Sequence, residues 1–176
     1  MRGLKFGVEI EFFGANYTTV IEQLRANGIQ VAEFAGYTHA VIPKWKITTD
    51  CSVTSTGTGL NKGLELVSPI LYGDEGLDEL EKVYKVLNEC GAKVDRTCGT
   101  HVHFDIADYT VQDMVSFLNL YYKEHTLIDF LLPPSRRNNT YCEQIKKLEI
   151  DKMNNRFENG TLEGIKDIAD ILWTRY

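Results

Sequence analysis

The first clear pattern in the chain is a strict alternation of apolar and polar residues over positions 4–13. Apolar side chains take every second position from Leu4 to Phe12, whereas Glu9 and Glu11 lie between them. This period of two predicts a β-strand with one buried face. Similar but shorter patterns predict further strands at 29–35, 45–50, 63–71 and 100–106.

Apolar residues that recur every three or four positions predict the helices. Four of them span 17–27, 75–90, 141–154 and 161–173. A fifth, longer helix begins at Thr110 and ends before Pro133-Pro134. Thr110 and Asp113 have the spacing of a capping box, with Asp in place of Glu. Because the turns and the period-two patterns favour antiparallel pairing, we predict an α+β fold, with an antiparallel or mixed sheet and helices packed on one face.

Composition narrows the function classes. The chain has 176 residues, 43% of them apolar, and a formal net charge of −6, so we expect one soluble domain over residues 1–176. No run of Lys or Arg is present, which argues against a nucleic-acid partner. No segment reaches the ~18 apolar residues of a membrane span. The four cysteines form no C-x-x-C pair, so neither a zinc knuckle nor a redox motif is indicated. The N-terminal residues lack the long apolar stretch of a secretory signal, so we expect a cytoplasmic location with reduced thiols.

Glu9 and Glu11 bring two carboxylates to the same side of the first predicted strand. Their Cα atoms are about 7 Å apart, because each residue advances a strand by about 3.3 Å. Two carboxylates this close repel each other unless a cation or a proton lies between them. A solvent-exposed strand face gives the same pattern without any ligand, so this pair alone leaves both interpretations open.

His101 and His103 repeat this spacing, and the chain has only four histidines. Two imidazoles on one side of a strand are a common way to bind one metal ion or one substrate, although histidines beside a core give the same pattern. Glu65 lies within an apolar strand-like stretch, where a carboxylate must face solvent or meet a cation. Carboxylates combined with one or two imidazoles favour Mg²⁺ or Mn²⁺ over zinc.

Two further features are weaker candidates. Arg136 and Arg137 follow the end of a predicted helix, and guanidinium groups suit two-pronged binding of phosphate or carboxylate. A solvated surface pair is the alternative. Asp50 and Ser52 fit an ordinary turn, in which the aspartate side chain bonds to the nearby backbone.

Taken in order along the chain, five motifs resemble those of the amidoligase family, which is related to glutamine synthetase and γ-glutamylcysteine synthetase. The motifs are Gly7-x-Glu9-x-Glu11, Asp50-x-Ser52, Glu65-Leu66-Val67-Ser68-Pro69, Gly99-x-His101-x-His103 and Ser135-Arg136-Arg137. The resemblance runs from about Phe6 to Tyr141. Each motif is unspecific alone, but five in this order are much more specific.

The resemblance implies a glutamine synthetase-like fold and an ATP-dependent carboxylate–amine ligase that works through an acyl phosphate. Mg²⁺ or Mn²⁺ ions would clamp the ATP phosphates at the matching positions Glu9, Glu11, Glu65 and His101. The resemblance also implies that His103 lies near the transferred phosphoryl group or the carboxylate substrate. Arg136 or Arg137 would neutralise phosphate charge, and Asp50 would orient the incoming amine. The expected substrates are a small-molecule or peptide carboxylate and an amine, and the relatives make a homo-oligomer an open possibility.

One departure from the family pattern affects activity. Relatives carry a further Glu-x-Arg strand near the C-terminus, and this sequence contains no Glu-x-Arg. We therefore expect the C-terminal part of the family fold to be missing here, with completion by another subunit or loss of activity as alternatives. Two other function classes stay open: a non-catalytic or degenerate module that binds nucleotide, metal or a partner, and a metal-dependent hydrolase, for which no H-E-x-x-H signature is present.

Overall fold

The computed structural model describes residues 3–33, 41–54, 63–137 and 142–172. Within these ranges the strands are β1 (Lys5–Phe12), β2 (Val31–Glu33), β3 (Trp45–Thr49), β4 (Leu64–Val67), β5 (Leu71–Tyr72) and β6 (Thr100–Phe104). The α-helices are α1 (Tyr17–Ala26), α2 (Gly73–Glu89), α3 (Val111–Leu131), α4 (Lys147–Glu158) and α5 (Ile165–Leu172). The predicted α+β class is confirmed.

All six strands belong to one mixed sheet in which β1 is central. One edge of β1 pairs antiparallel with β4 and then β5, and its other edge pairs antiparallel with β6. Strand β3 continues the sheet beyond β4 in antiparallel pairing, and β2 joins β3 in parallel. The predicted mixed sheet is therefore confirmed, with one parallel pair among the described strands.

The core of the first half lies between one face of this sheet and two helices. The alternation in β1 buries the side chains of its even-numbered positions, including Val8, Ile10 and Phe12. They pack in one cluster with buried residues of α1 and α2. The odd-numbered positions of β1 consequently lie on the other face of the sheet, which those two helices leave uncovered.

The chain divides into two compact units, Met1–Asp105 and Ile106–Tyr176. The second unit has its own apolar cluster, which contains residues of α3, α4 and α5. Helix α3 begins with the predicted capping box: Thr110 Oγ1 accepts from Asp113 N at 3.2 Å, and Asp113 Oδ2 accepts from Thr110 N at 2.9 Å. None of the described helices is long and apolar enough to cross a bilayer. One domain over residues 1–176 stays a prediction.

Several predicted boundaries were wrong. The strand expected over 63–71 is broken after Val67, because Ser68 Oγ accepts from Val8 N at 2.8 Å and takes the place of a ladder bond. The helix expected over 141–154 begins only at Lys147. The helix expected over 161–173 spans Ile165–Leu172. The described residues do not include 34–35, 141 or Trp173, all of which lie within the predicted elements.

Candidate functional site

The register of three strands brings the predicted carboxylates and imidazoles onto one face of the sheet. Residues directly opposite each other on antiparallel strands project from the same face. Glu11 lies opposite Glu65 on β4, and Glu9 lies opposite His101 on β6. His103 lies two residues further along β6 and shares that face. These five side chains therefore leave the sheet on the side away from the apolar core of the first unit.

Each imidazole pairs with a carboxylate diagonally across β1 and β6. His101 Nε2 lies 3.2 Å from Glu11 Oε1, and His103 Nε2 lies 3.4 Å from Glu9 Oε1. The other oxygen of Glu11 accepts a hydrogen bond of 2.6 Å from the backbone N–H of Gly99. Glu11 is thus held at both of its oxygens, whereas Glu9 is half-exposed and held at one.

Three carboxylates, from β1, from β4 and from the residue just after β3, converge beside these pairs. Ligand oxygens of Glu11, Asp50 and Glu65 all lie within 4.8 Å of one another. Asp50 reaches this position because its backbone N–H donates to Gly63 O at 2.9 Å, which extends the β3–β4 ladder by one residue. Its Oδ1 also accepts from Ser52 N at 2.7 Å, in the turn that the sequence predicts.

Burial raises the pKa of Glu65, and the neighbouring carboxylates raise it further. Burial contributes most, followed by the charges of Glu9, Asp50 and Glu11, while His101 acts in the opposite direction. Together they raise the pKa of Glu65 from 4.5 to about 7. In the protein without a cation, the negative charges of the cluster therefore destabilise one another near neutral pH.

These residues fit a divalent cation of the Mg²⁺ type. Such hard cations take carboxylate oxygens as ligands, and the three carboxylates come from β1, from β4 and from the residue just after β3. Thr48 lies directly opposite Glu65 on β3, so its side chain is on the same face. Its Oγ1 is buried and is the one buried side-chain polar atom without a hydrogen-bond partner among the described residues. The cluster is therefore bordered by a buried hydroxyl oxygen that has no hydrogen-bond partner in the described part of the chain.

A cavity of about 480 Å³ opens on the same face, next to the carboxylates. Glu9, Glu65 and His103 line it, together with Lys46. Lys46 is only 7% exposed, and its place opposite Val67 puts its side chain on the face that carries Glu9. A volume of this size is within the range of pockets for small molecules, which is roughly 300–1,000 Å³. The cavity therefore combines acidic, imidazole and ammonium groups within reach of one small ligand.

Arg136 and Arg137 lie in the second unit, apart in sequence from all the other candidates. Arg136 ends a single 3₁₀ turn that begins at Pro134, and Arg137 Nε donates to Leu132 O at 3.0 Å. That bond ties Arg137 to the end of α3. The expected contact of either residue with phosphate stays a prediction.

Sequence reasoning missed Lys46 and Thr48 as members of this face. The only available signal was the alternation of Lys46 and Thr48 with the apolar Trp45 and Ile47, which marks them as sharing a side of β3. Which side that is depends on the register with β4, and a register that links residues almost twenty positions apart is not encoded in any local pattern.

A family model described as "Putative amidoligase enzyme" matches residues 2–171 of the chain. No curated protein and no solved structure matches it.

Proposed function

The chain belongs to the amidoligase family, and from that premise we propose that it is an ATP-dependent carboxylate–amine ligase that uses Mg²⁺ or Mn²⁺. The observation that carries this proposal is the convergence of Glu11, Asp50 and Glu65 beside a cavity of about 480 Å³. The match to the family supports a ligase, and the carboxylate cluster supports the choice of cation and of a phosphate-bearing co-substrate.

The three carboxylates are proposed to hold the cation, and the imidazole of His101, 3.2 Å from Glu11, is proposed to support Glu11. Direct binding of the cation by Glu9 and His101, which the family resemblance implied, stays a prediction. Burial and then repulsion from neighbouring carboxylates raise the pKa of Glu65, and a bound cation offsets the repulsion. Asp50 is assigned to this set because its oxygen is within 4.8 Å of those of Glu11 and Glu65. This replaces the role of orienting the amine that the family resemblance implied for Asp50.

The cavity is proposed to receive the acid substrate. Lys46 supplies a buried positive charge on its wall, and a charge-assisted hydrogen bond to a carboxylate is about twice as strong as a neutral one. Glu9 and His103 lie on the same wall, joined at 3.4 Å. The Glu9 carboxylate is proposed to orient the His103 ring on this wall.

The proposed reaction explains why one face needs both cations and a substrate cavity. A carboxylate is a poor electrophile, so its oxygen first takes the terminal phosphoryl group of ATP, which releases ADP. The amine then attacks the acyl carbon, phosphate leaves with the C–O bond electrons, and the nitrogen loses a proton. Divalent cations, when bound, neutralise charge on the phosphoryl oxygens. The residues of this face are proposed to position the reactants, and positioning together with electrostatic stabilisation supplies most of the rate enhancement in phosphoryl transfer.

The remaining expectations belong to this proposal as well. Arg136 or Arg137 is proposed to contact phosphate, as the family resemblance implies. The acid and the amine are proposed to be small molecules or peptides. A cytoplasmic location and a homo-oligomer stay predictions.

The proposal is tested by following ADP release from purified protein with ATP, Mg²⁺ and panels of carboxylic acids and amines. Turnover that requires all four components supports a ligase. Glu11→Gln removes a charge from the cluster and is expected to lower turnover at least 100-fold. Glu22→Gln, on the exposed side of α1, is the matched control and is expected to turn over like the wild type.

Two outcomes would favour the other function classes. Binding of ATP with Mg²⁺ in calorimetry, without turnover on any acid and amine, would favour a non-catalytic binding module. Cleavage of a substrate without ATP would favour a hydrolase. Full turnover by Glu11→Gln would rule out the proposed cation site.

A further inference from the structure

The hydroxyl of Thr48 is the most unusual polar group on the site face. Thr48 is 4% exposed, and its Oγ1 has no hydrogen-bond partner in the described part of the chain. Buried hydroxyl groups in folded proteins almost always have a partner, and an unpartnered one is a sign of strain or of a ligand that completes the site. The position of Thr48 decides between these explanations.

Thr48 lies at the border of the carboxylate cluster. It is directly opposite Glu65 in the β3–β4 register, so both side chains leave the sheet on the same face. Asp50 is two residues further along the chain, just after β3, and its backbone bond to Gly63 O continues the β3–β4 ladder. The Thr48 hydroxyl is therefore flanked across the sheet by one carboxylate of the cluster and along the strand by another.

A purely structural explanation does not account for a threonine here. The neighbouring positions on the opposite face of β3, Trp45 and Ile47, are fully buried and apolar. Valine has nearly the shape of threonine and a high preference for strands, so packing alone would be served equally well without a hydroxyl. The hydroxyl is useful only if something on the site face uses its oxygen.

We propose that Thr48 Oγ1 is a neutral oxygen ligand of the cation held by Glu11, Asp50 and Glu65. The inference rests on the proposed function, because it takes the cation at this cluster as given. Hard divalent cations bind six or more oxygens and accept neutral oxygens beside carboxylates. A neutral ligand adds coordination without adding charge, in a cluster where three carboxylates already repel one another.

The test compares Mn²⁺ binding with stability of the metal-free protein. Thr48→Val removes the hydroxyl and keeps the shape. It should weaken Mn²⁺ binding by at least about 10-fold, because loss of a contact that only supports a metal ligand already costs about 10- to 100-fold. The melting temperature of the metal-free variant should be equal to or above that of the wild type, because an unpartnered buried hydroxyl is gone. Thr48→Ser keeps the hydroxyl and should bind Mn²⁺ within a few-fold of the wild type.

Loss of a cation ligand should lower Mn²⁺ affinity without lowering the melting temperature of the metal-free protein. Loss of a purely structural residue would lower the melting temperature and leave Mn²⁺ affinity unchanged. Thr49→Val is the matched control, since this exposed neighbour lies on the other face of β3. Titration calorimetry and Mn²⁺ paramagnetic resonance supply the affinities. Should Thr48→Val misfold by circular dichroism, Thr48→Ala provides a second variant without the hydroxyl.

The outcomes distinguish this inference from the proposed function. Unchanged Mn²⁺ affinity in a folded variant without the hydroxyl, beside normal binding by the wild type, would overturn the role of Thr48 and leave the cation site intact. Absence of Mn²⁺ binding by the wild type itself would overturn the cation site, and the role of Thr48 with it.

Discussion

His101 Nε2 lies 3.2 Å from Glu11 Oε1, although the residue directly opposite His101 in the β1–β6 register is Glu9. The imidazole on β6 thus contacts Glu11 diagonally on the neighbouring strand β1, and Glu11 also accepts a hydrogen bond from Gly99 N. His103 makes the corresponding diagonal contact with Glu9. The two histidines therefore support different carboxylates, and of these two only Glu11 is among the converging ligand atoms.

This difference predicts unequal effects of two otherwise similar substitutions. His101→Ala leaves one oxygen of Glu11 without its partner and should weaken Mn²⁺ binding about 10-fold or more, as loss of a supporting contact does at other metal sites. His103→Ala is the matched control for this measurement, because it comes from the same strand and face but contacts Glu9. It should change Mn²⁺ affinity less than 3-fold. Equal losses in calorimetry would contradict separate roles for the two histidines.

The raised pKa of Glu65 predicts a pH dependence of stability. The folded protein binds this proton with a pKa of about 7, against 4.5 for the ordinary carboxyl. The folded state therefore holds more protons than the unfolded state between these values, and stability falls as pH rises through that window. The total loss is on the order of 3 kcal/mol for a shift of this size. Urea unfolding in EDTA, from pH 4.5 to 8, measures it.

Two comparisons make this prediction specific to Glu65. Glu65→Gln should remove most of the pH dependence of the unfolding free energy between pH 4.5 and 7. It should also make the metal-free protein more stable than the wild type at pH 8. Mn²⁺ should restore stability to the wild type at pH 8 but not to the variant. A slope that is unchanged in Glu65→Gln would assign the titration to another group.

The structure also explains how far the sequence could be used to predict this site. The alternation in β1 identified Glu9 and Glu11 as facing away from the core, and the register confirms that they leave the sheet together with Glu65. The convergence with Asp50 was not predictable, because it depends on a backbone bond between Asp50 and Gly63, thirteen positions apart. Local patterns specify which side of a strand is apolar, whereas long-range pairing decides which polar residues meet.

The helices show the same limit. The apolar spacing in α2 predicts a buried face formed by Leu77, Leu80, Tyr84 and Leu87. Leu87 is buried and Leu80 packs against the core, but Leu77 and Tyr84 are exposed, and Val83 and Val86 are fully buried. A helix with apolar residues on more than one side offers two possible buried faces, and its sequence alone does not reveal which one meets the sheet. By contrast, the start of α3 was predictable, because a capping box is a local interaction among four consecutive residues.

Gly63 is predicted to be essential for the position of Asp50. A Cβ atom at this position would lie 2.2 Å from Val53 Cβ and 2.6 Å from Asp50 O. Because the second of these is a backbone atom, relief requires the turn after β3 to move away and take the Asp50 carboxylate with it. Gly63→Ala should therefore lower stability by about 1–3 kcal/mol, as overpacking does, and should weaken Mn²⁺ binding.

Gly164→Ala is the control for the effect of an added methyl group, since its Cβ would meet one backbone atom at 4.0 Å. It should leave Mn²⁺ affinity unchanged. Urea unfolding and Mn²⁺ calorimetry on both variants check the prediction. A Gly63→Ala protein with wild-type Mn²⁺ affinity would show that the position of Asp50 does not matter for the cation.

Lys46 allows the substrate cavity to be tested separately from the cation site. Lys46→Met keeps most of the buried stem and removes the ammonium group, which belongs to the cavity and carries a charge of the same sign as the cation. Mn²⁺ affinity should therefore stay the same or increase. The KM for the acid should rise by about 10- to 100-fold, because a hydrogen bond to a charged group contributes about 1.5–3 kcal/mol. The KM for ATP should change little.

Lys44→Met, at an exposed position two residues before Lys46, controls for the loss of a positive charge. Steady-state kinetics with each substrate varied in turn separates the two KM values. A rise in the KM for ATP alone would indicate that Lys46 contacts the phosphates of ATP and not the acid. Weaker Mn²⁺ binding in Lys46→Met would mean that the ammonium group supports the geometry of the carboxylates, since removing a positive charge cannot weaken cation binding by electrostatics.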